Sequence, residues 1–196
     1  MPAAIGILGG TFDPPHAGHV AAAVAAQAQL GLTQVRVIPA AHAPLRTDAP
    51  AAAAADRAAM CRLAFAEFPW AVVDERELRR DGLSWSIDTA RELAQEFAGA
   101  RLVWILGADQ LARLDRWKDA AELCRRVEFA VLARDGAATV PPAALASCLR
   151  LTVLRAPSVD VSSTALRAAL RRGDKARNGL PLAVARHIDE RSLYQD

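Results

Sequence analysis

Four histidines occur in the 196 residues, and two of them lie three apart in Gly9-Gly10-Thr11-Phe12-Asp13-Pro14-Pro15-His16-Ala17-Gly18-His19. Imidazoles can donate to phosphate oxygens or move protons near neutral pH. At a spacing of three, His16 and His19 share one face of a helix's first turn. The paired Gly9 and Gly10 allow a sharp turn and a close backbone approach to a ligand. A helix opening behind them turns unsatisfied amides and a positive dipole end toward that ligand, which suits phosphate. Gly18 is expected to remove a side chain where a nucleotide would lie flat. A second reading of the same residues is a structural turn with two surface histidines. Neither the P-loop nor the G-x-G-x-x-G pattern is present. Zinc is the rival ligand, but two histidines and a distant aspartate fall short of a closed structural site.

A second anion-binding pattern sits near the other end, in Val161-Ser162-Ser163-Thr164-Ala165-Leu166-Arg167. Ser162 is a natural N-cap, the next amides can meet phosphate oxygens, and Arg167 lies one turn in. An ordinary capped helix remains the alternative. Between the two patterns, Leu102 to Gly107 is an apolar run followed by Ala108 and Asp109. Asp109 would hold ribose hydroxyls or cap the next helix. Trp117, between Arg116 and Lys118, is oddly placed for a core residue, although amphipathic packing would also account for it.

These residues need elements to position them. Short apolar runs suit strands at Ala3 to Leu8, Val35 to Pro39, Ala71 to Val73, Leu102 to Gly107, Phe129 to Ala133 and Leu151 to Leu154. Helical spacing joins Val20 to Leu30, then Met60, Leu63, Ala64 and Phe68, then Ile87, Ala90, Ala94 and Phe97, then Leu166, Ala169 and Leu170 before Gly173. Ala51 to Ala55 reads as a loop or a helix start, and 136–148 as a surface excursion. Strands alternating with helices predict an α/β fold, a Rossmann-like doubly wound parallel sheet. Ligands in such sheets bind beyond the carboxyl ends of the strands, and each motif above follows a strand. The expected organisation is one domain over 1–196, with a small C-terminal helical tail from about 162.

At 53% hydrophobic and 23% charged residues the chain can bury a real core, which excludes disordered and fibrous classes. A net charge of +2 supplies no broad basic surface, so no nucleic-acid partner is expected; the arginines between Asp74 and Asp81 are interleaved with acids. Cys61, Cys124 and Cys148 are odd in number and fit no metal spacing, which points to a reduced cytoplasm. The start of the chain reads as a strand rather than a signal peptide, and no membrane span is expected.

The eleven residues from Gly9 to His19 resemble the signature of the HxGH nucleotidyltransferases, in the form carried by bacterial nicotinate-nucleotide adenylyltransferases. The resemblance spans essentially the whole chain. It implies adenylyl transfer from ATP to nicotinate mononucleotide, giving nicotinate adenine dinucleotide and pyrophosphate in NAD biosynthesis, with Mg²⁺ delivered with ATP. His16, His19, Thr11 and Arg167 would be catalytic. ATP would meet Gly9, Gly10, Thr11, Phe12, His16, Gly18, His19, Gly107, Asp109, Arg134, Ser162, Ser163, Thr164 and Arg167. The acceptor would meet Asp13, Arg46, Ser84, Trp85, Ser86 and Trp117, the last by stacking on the pyridine ring. Ser84-Trp85-Ser86-Ile87-Asp88-Thr89 is similar to the family's Ser-Tyr-Thr-x-Asp-Thr, with Trp85 and Ser86 replacing Tyr and Thr. Leu45 replaces a histidine, and Asp135 a proline. A monomer or small homo-oligomer is expected. The alternatives are transfer to nicotinamide mononucleotide or phosphopantetheine, cytidylyl transfer, and a non-catalytic nucleotide-binding sensor.

Overall fold

A computed structural model describes residues 3–45, 48–132, 140–157, 159–174 and 178–195. Among these residues six strands form one parallel sheet: β1 (Ala4–Gly10), β2 (Gln34–Pro39), β3 (Ala71–Val73), β4 (Arg101–Gly107), β5 (Glu128–Leu132) and β6 (Leu151–Leu154), in the order β3-β2-β1-β4-β5-β6. The fold class expected from the alternating pattern is therefore the one observed. Each sequence-predicted strand falls within two residues of its observed span, except that Ala133 lies outside the described residues.

Among the described residues seven α-helices lie between and after the strands: α1 (Ala17–Leu30), α2 (Ala54–Ala64), α3 (Ser86–Glu96), α4 (Ala108–Leu111), α5 (Ala120–Arg126), α6 (Ser163–Arg171) and α7 (Leu182–Glu190). Side chains alternate across a strand, and the two faces carry separate cores. On one face Leu8, Val35, Val37, Val103 and Ile105 pack with Ala23 and Ala26 of α1, Met60 and Cys61 of α2, Leu170 of α6, and Val184 and Ile188 of α7. On the other face Ile5, Ile7, Ile38, Trp104 and Leu106 pack with Ile87, Ala90 and Leu93 of α3, Leu111 of α4 and Leu123 of α5. Both faces are covered, which is why the strands read as unbroken apolar runs. The expected C-terminal helical tail is present as α6 and α7, and it packs into the core of the first face.

α1 stops at Gly31, whose φ of 62° places it in the left-handed conformation that glycine tolerates. α2 is shorter than the predicted repeat. It ends at Ala64, leaves Leu63 exposed, and places Phe68 in a following turn against Phe65 and Trp70. The Phe68 amide donates to the Phe65 carbonyl, so the chain is already turning away where the sequence pattern continued. Ala51 to Ala55 is both a loop and a helix start, since α2 begins at Ala54.

The strand order reverses between β1 and β4, which pair directly from Ala4–Arg101 to Leu8–Ile105. Connections leave the sheet in opposite directions there, opening a crevice at the carboxyl ends.

Candidate active site

Beyond the carboxyl ends of β1 and β4 lies a cleft of about 550 Å³. Its floor is the turn after β1. Gly10 hands the chain to Thr11 and then to Phe12, a buried residue held at φ 51°. The Asp13–Pro14 peptide is cis. His16 then caps α1, and its backbone N–H donates to Nδ1 of His19 at 3.1 Å. The two imidazoles stack at 3.7 Å between centroids, and Phe12 meets His19 edge-on at 4.9 Å.

That hydrogen bond settles the chemistry of His19. Burial first, and the neighbouring His16 second, hold its pKa well below the usual imidazole value, so it is neutral at pH 7. Nδ1 accepts the His16 amide, so the ring proton must sit on Nε2. A neutral donor is thereby fixed at the cleft.

Gly18 lines the cleft, and its lack of a side chain also matters to its neighbours. A Cβ there would lie 3.1 Å from Cε1 and Nδ1 of His16 and 3.5 Å from Val161. The missing side chain leaves room for the first histidine's ring.

α6 brings a second N-terminus to the same cleft. Ser162 caps it, accepting the Ala165 amide at 3.2 Å, and Ser162, Ser163 and Thr164 line the wall. The Ser163 hydroxyl donates to the Pro14 carbonyl at 2.9 Å, which ties this helix to the first loop. Two helix starts thus converge on one space, an arrangement that favours anionic oxygens. Gly9, Gly10, Thr11, Phe12, His16, His19, Gly107 and Asp109 complete the wall. Gly107, not Asp109, is the N-cap of α4, and the Asp109 carboxylate accepts from Gln110 at 2.9 Å. The capping alternative for Asp109 is thereby removed.

The opposite end of the cleft is aromatic. Trp85, Trp104 and Trp117 line it, with Trp117 edge-on to Trp104 at 6.0 Å. The ammonium of Lys118 sits over the Trp85 ring at 5.3 Å. Trp85 caps α3, so the Ser86 and Ile87 amides in that helix's first turn have no intrahelical carbonyl to meet. Ser84 lines the cleft too, but its hydroxyl accepts the Ala41 amide at 3.1 Å and contacts Glu77. Leu45 is 44% exposed at the mouth of this end.

Two sequence-predicted site residues fall outside the structure described, and two others lie off the cleft wall. Arg46 and Arg134 lie outside the described residues. Asp13 is not a wall of the cleft. It is 2% exposed, and its carboxylate accepts the Ala51 and Ala52 amides at 2.8 and 3.0 Å and the Tyr194 hydroxyl at 2.8 Å. A carboxylate so engaged serves the loop rather than an acceptor. Arg167 also stays behind the loop, donating to the Asp13 carbonyl at 2.7 Å with its carboxylate 3.8 Å away.

Two residues escaped the sequence reading. Arg57 of α2 is 2% exposed, and its guanidinium donates to the carbonyls of Thr11 (2.8 Å), Ala40 (2.7 Å) and Ala52 (3.3 Å). It pins the ends of β1 and β2 to the start of α2. A signal existed, since Arg57 stands in line with Ala58, Cys61 and Ala64, which are all buried on the same helix. Glu77 lines the aromatic end while buried, and the Thr89 hydroxyl donates to it at 2.6 Å. Burial, opposed by Thr89, Arg80 and Ser84, leaves its carboxyl pKa raised. No pattern marked it among the alternating charges of residues 74–81.

Comparison with known proteins agrees with this geometry. The profile of the cytidylyltransferase-like family matches residues 7–169. A relative from Bordetella petrii, named a probable nicotinate-nucleotide adenylyltransferase, is 42% identical over 200 residues, covering 97% of this chain and 98% of its own. One of the same name from Bordetella avium is 39% identical over 196 residues, covering 97% and 98%. Among solved structures, the nicotinic acid mononucleotide adenylyltransferase of Plasmodium falciparum complexed with NaAD superposes with a TM-score of 0.78. It covers 98% of this chain and 97% of its own at 15% identity, which speaks for the fold. Full-length relatives near 40% identity, together with that profile match, establish that the chain belongs to the nicotinate-nucleotide adenylyltransferases of the cytidylyltransferase-like family.

Proposed function

We propose that the chain transfers the adenylyl group of ATP to nicotinate mononucleotide, releasing pyrophosphate and forming the dinucleotide of NAD biosynthesis. One observation carries the reading. A single cleft joins an end built of two helix N-termini and two stacked histidines to an end built of three tryptophans. The first suits a triphosphate and the second a flat pyridine ring.

The 5′-phosphate oxygen of the acceptor attacks the α-phosphorus, one P–O bond forms, and the bond to the β-phosphate bridging oxygen breaks. A phosphate monoester is already anionic at pH 7, so no strong base is required. The rate then depends on holding both nucleotides in line and on stabilising charge as pyrophosphate leaves. His19, neutral with its proton on Nε2, would donate to a phosphate oxygen, and His16, stacked on it, would donate alongside. Thr11, Ser162, Ser163 and Thr164 would supply hydroxyls and amides around the triphosphate. Arg167 would act from behind the loop, and Gly107 and Asp109 would face the nucleotide sugar. Trp117 and Trp85 would sandwich or flank the pyridine ring, with the Ser86 amide facing its carboxylate.

The donor set fits Mg²⁺ carried by the triphosphate. The phosphate end offers imidazoles, hydroxyls and amides, and among the described residues no three His, Cys, Asp or Glu side chains gather as a metal cage. When bound, the ion would neutralise charge on the leaving pyrophosphate. The three free thiols support a cytoplasmic setting, no helix among the described residues is long and apolar enough to cross a membrane, and the small net charge speaks against nucleic acid.

The deciding experiment is pyrophosphate release with ATP and Mg²⁺, comparing nicotinate mononucleotide with nicotinamide mononucleotide. Strong preference for the acid is expected. Equal or reversed preference would move the acceptor assignment to the amide, and no release with either would refute the reading.

A further inference from the structure

The first loop carries backbone that does not hold itself in place. Phe12, a bulky side chain at φ 51°, sits in a region that such residues adopt only when their surroundings over-determine it. Those surroundings converge on the next residue, Asp13. Three of its partners come from the loop before α2 and from α6: the Ala51 and Ala52 amides and the Arg167 guanidinium. The fourth is Tyr194, 181 positions away in sequence.

Tyr194 reaches Asp13 by an equally unusual path. α7 is clamped to the first turn of α2, where Asp56 meets both His187 and Arg191 at 3.3 Å. Two residues past the helix, Ser192 takes φ 50°, and Tyr194 itself takes φ 63°. Neither is glycine, so both left-handed turns cost energy. What they achieve is to turn the end of the chain inward and bury the phenol, 7% exposed, with its hydroxyl 2.8 Å from the carboxylate. Left-handed backbone thus adjoins this hydrogen bond on both sides, at Phe12 next to Asp13 and at Tyr194 itself, as happens where surrounding structure over-determines the chain.

We propose that Tyr194 is a positioning residue for the transfer reaction: its phenol, donated to Asp13, holds the Thr11–His16 loop in the conformation that presents His16 and His19 to the nucleotide. It touches no substrate. It acts through Asp13 on Phe12, and through Phe12 on the ring of His19 that it packs against. Burial first, and the adjacent carboxylate second, raise the phenol's pKa, so it stays protonated and able to donate at neutral pH. The kinetic part of this inference rests on the adenylyl-transfer reading.

Tyr194→Phe removes the donor and keeps the ring. Below its melting temperature the folded variant should lose about tenfold in kcat, the scale of a sub-ångström misplacement of a reacting group, with little change in the KM for either nucleotide. Asp13→Asn combined with Tyr194→Phe should be no worse than the poorer single variant, as expected when two residues act through one contact. Independently of activity, ¹⁵N spectra of the histidine rings should show His19 changing from one Nε2–H tautomer to a mixture as the loop loosens. A merely structural role would lower the melting temperature and move neither readout. Unchanged kcat in the folded variant, or an unchanged His19 pattern, overturns the proposal. Should the variant fail to fold, the chain's single tyrosine offers a substitute. Fluorotyrosines of graded acidity then alter position 194 alone, kcat is expected to follow phenol acidity, and a constant kcat overturns the proposal. A wild-type protein that releases no pyrophosphate would defeat the functional reading, leaving the His19 pattern to judge Tyr194.

Discussion

Replacing Gly18 by alanine adds one methyl group between the two histidines, and its consequences can be worked from the structure. The new Cβ would meet Cε1 and Nδ1 of His16 at 3.1 Å, several tenths of an ångström inside ordinary contact, and Val161 at an acceptable 3.5 Å. The backbone at Gly18 has no positive φ, so alanine fits the helix, and helix propensity alone favours the change by about 0.5–1 kcal/mol. Against that stands an off-rotamer shift of His16 costing about 0.5–1.5 kcal/mol. The two nearly cancel, and a residue of at most ~1 kcal/mol moves Tm by only about 2–4 °C in a chain of this size. Catalysis is less forgiving. His16 must slide off the stack it makes with His19 at 3.7 Å, and misplacing one donor by a fraction of an ångström costs on the order of 10- to 100-fold in kcat. Steady-state pyrophosphate release and thermal unfolding, measured on the same preparation, separate the two effects. Near-normal kcat would refute the claim that the glycine protects the histidine's position. A loss of kcat that only accompanies a collapse in Tm would refute the energy balance.

His16→Ala and His19→Ala should each lower kcat by at least ~100-fold, the scale of losing one oxyanion donor, while both proteins remain folded; near-normal turnover would contradict the assignment. His19, with its pKa depressed by burial, should stay neutral at pH 6 in ring-¹⁵N spectra. Because the unfolded chain binds that proton first, its contribution to stability is present above about pH 6.5 and is lost as pH falls below that value; denaturant melts across pH 5 to 8 should show stability falling on the acid side, and the opposite slope would contradict the assignment. Arg57→Met leaves three buried carbonyls without their donor and should cost at least ~2 kcal/mol, seen as a drop of several degrees in Tm; an unchanged Tm would mean that water replaces the guanidinium. Trp117→Ala should raise KM for the acceptor about tenfold, one stacked ring's worth, and leave that for ATP nearly unchanged, so equal effects on both would relocate the pyridine ring.

Much of this site was legible because its chemistry is local. The glycine pair, the two histidines and the Ser162 cap act through neighbours within three or four residues, and such spacing translates directly into helix starts and faces. The strands were legible for a related reason, since a sheet covered on both faces needs unbroken apolar runs. What could not be read are contacts whose partners are far apart in sequence. Asp13 and Arg167 sit inside motifs that suggest ligand contact, yet the nearest groups to them are the Ala51 and Ala52 amides, Tyr194 and each other. Only the folded chain brings residues 13, 51, 52, 167 and 194 together, so sequence spacing carries no trace of their meeting. The distinction bears on how such motifs are interpreted. A charged residue in a phosphate-binding loop has two ways to serve the reaction: it can touch the nucleotide, or it can hold the residues that do. Burial separates the two, since a carboxylate 2% exposed with three hydrogen-bond donors upon it has no remaining face to offer a substrate. By that criterion Asp13 and Arg57 belong to the loop, whereas His19 and Thr164 keep a face toward the cleft.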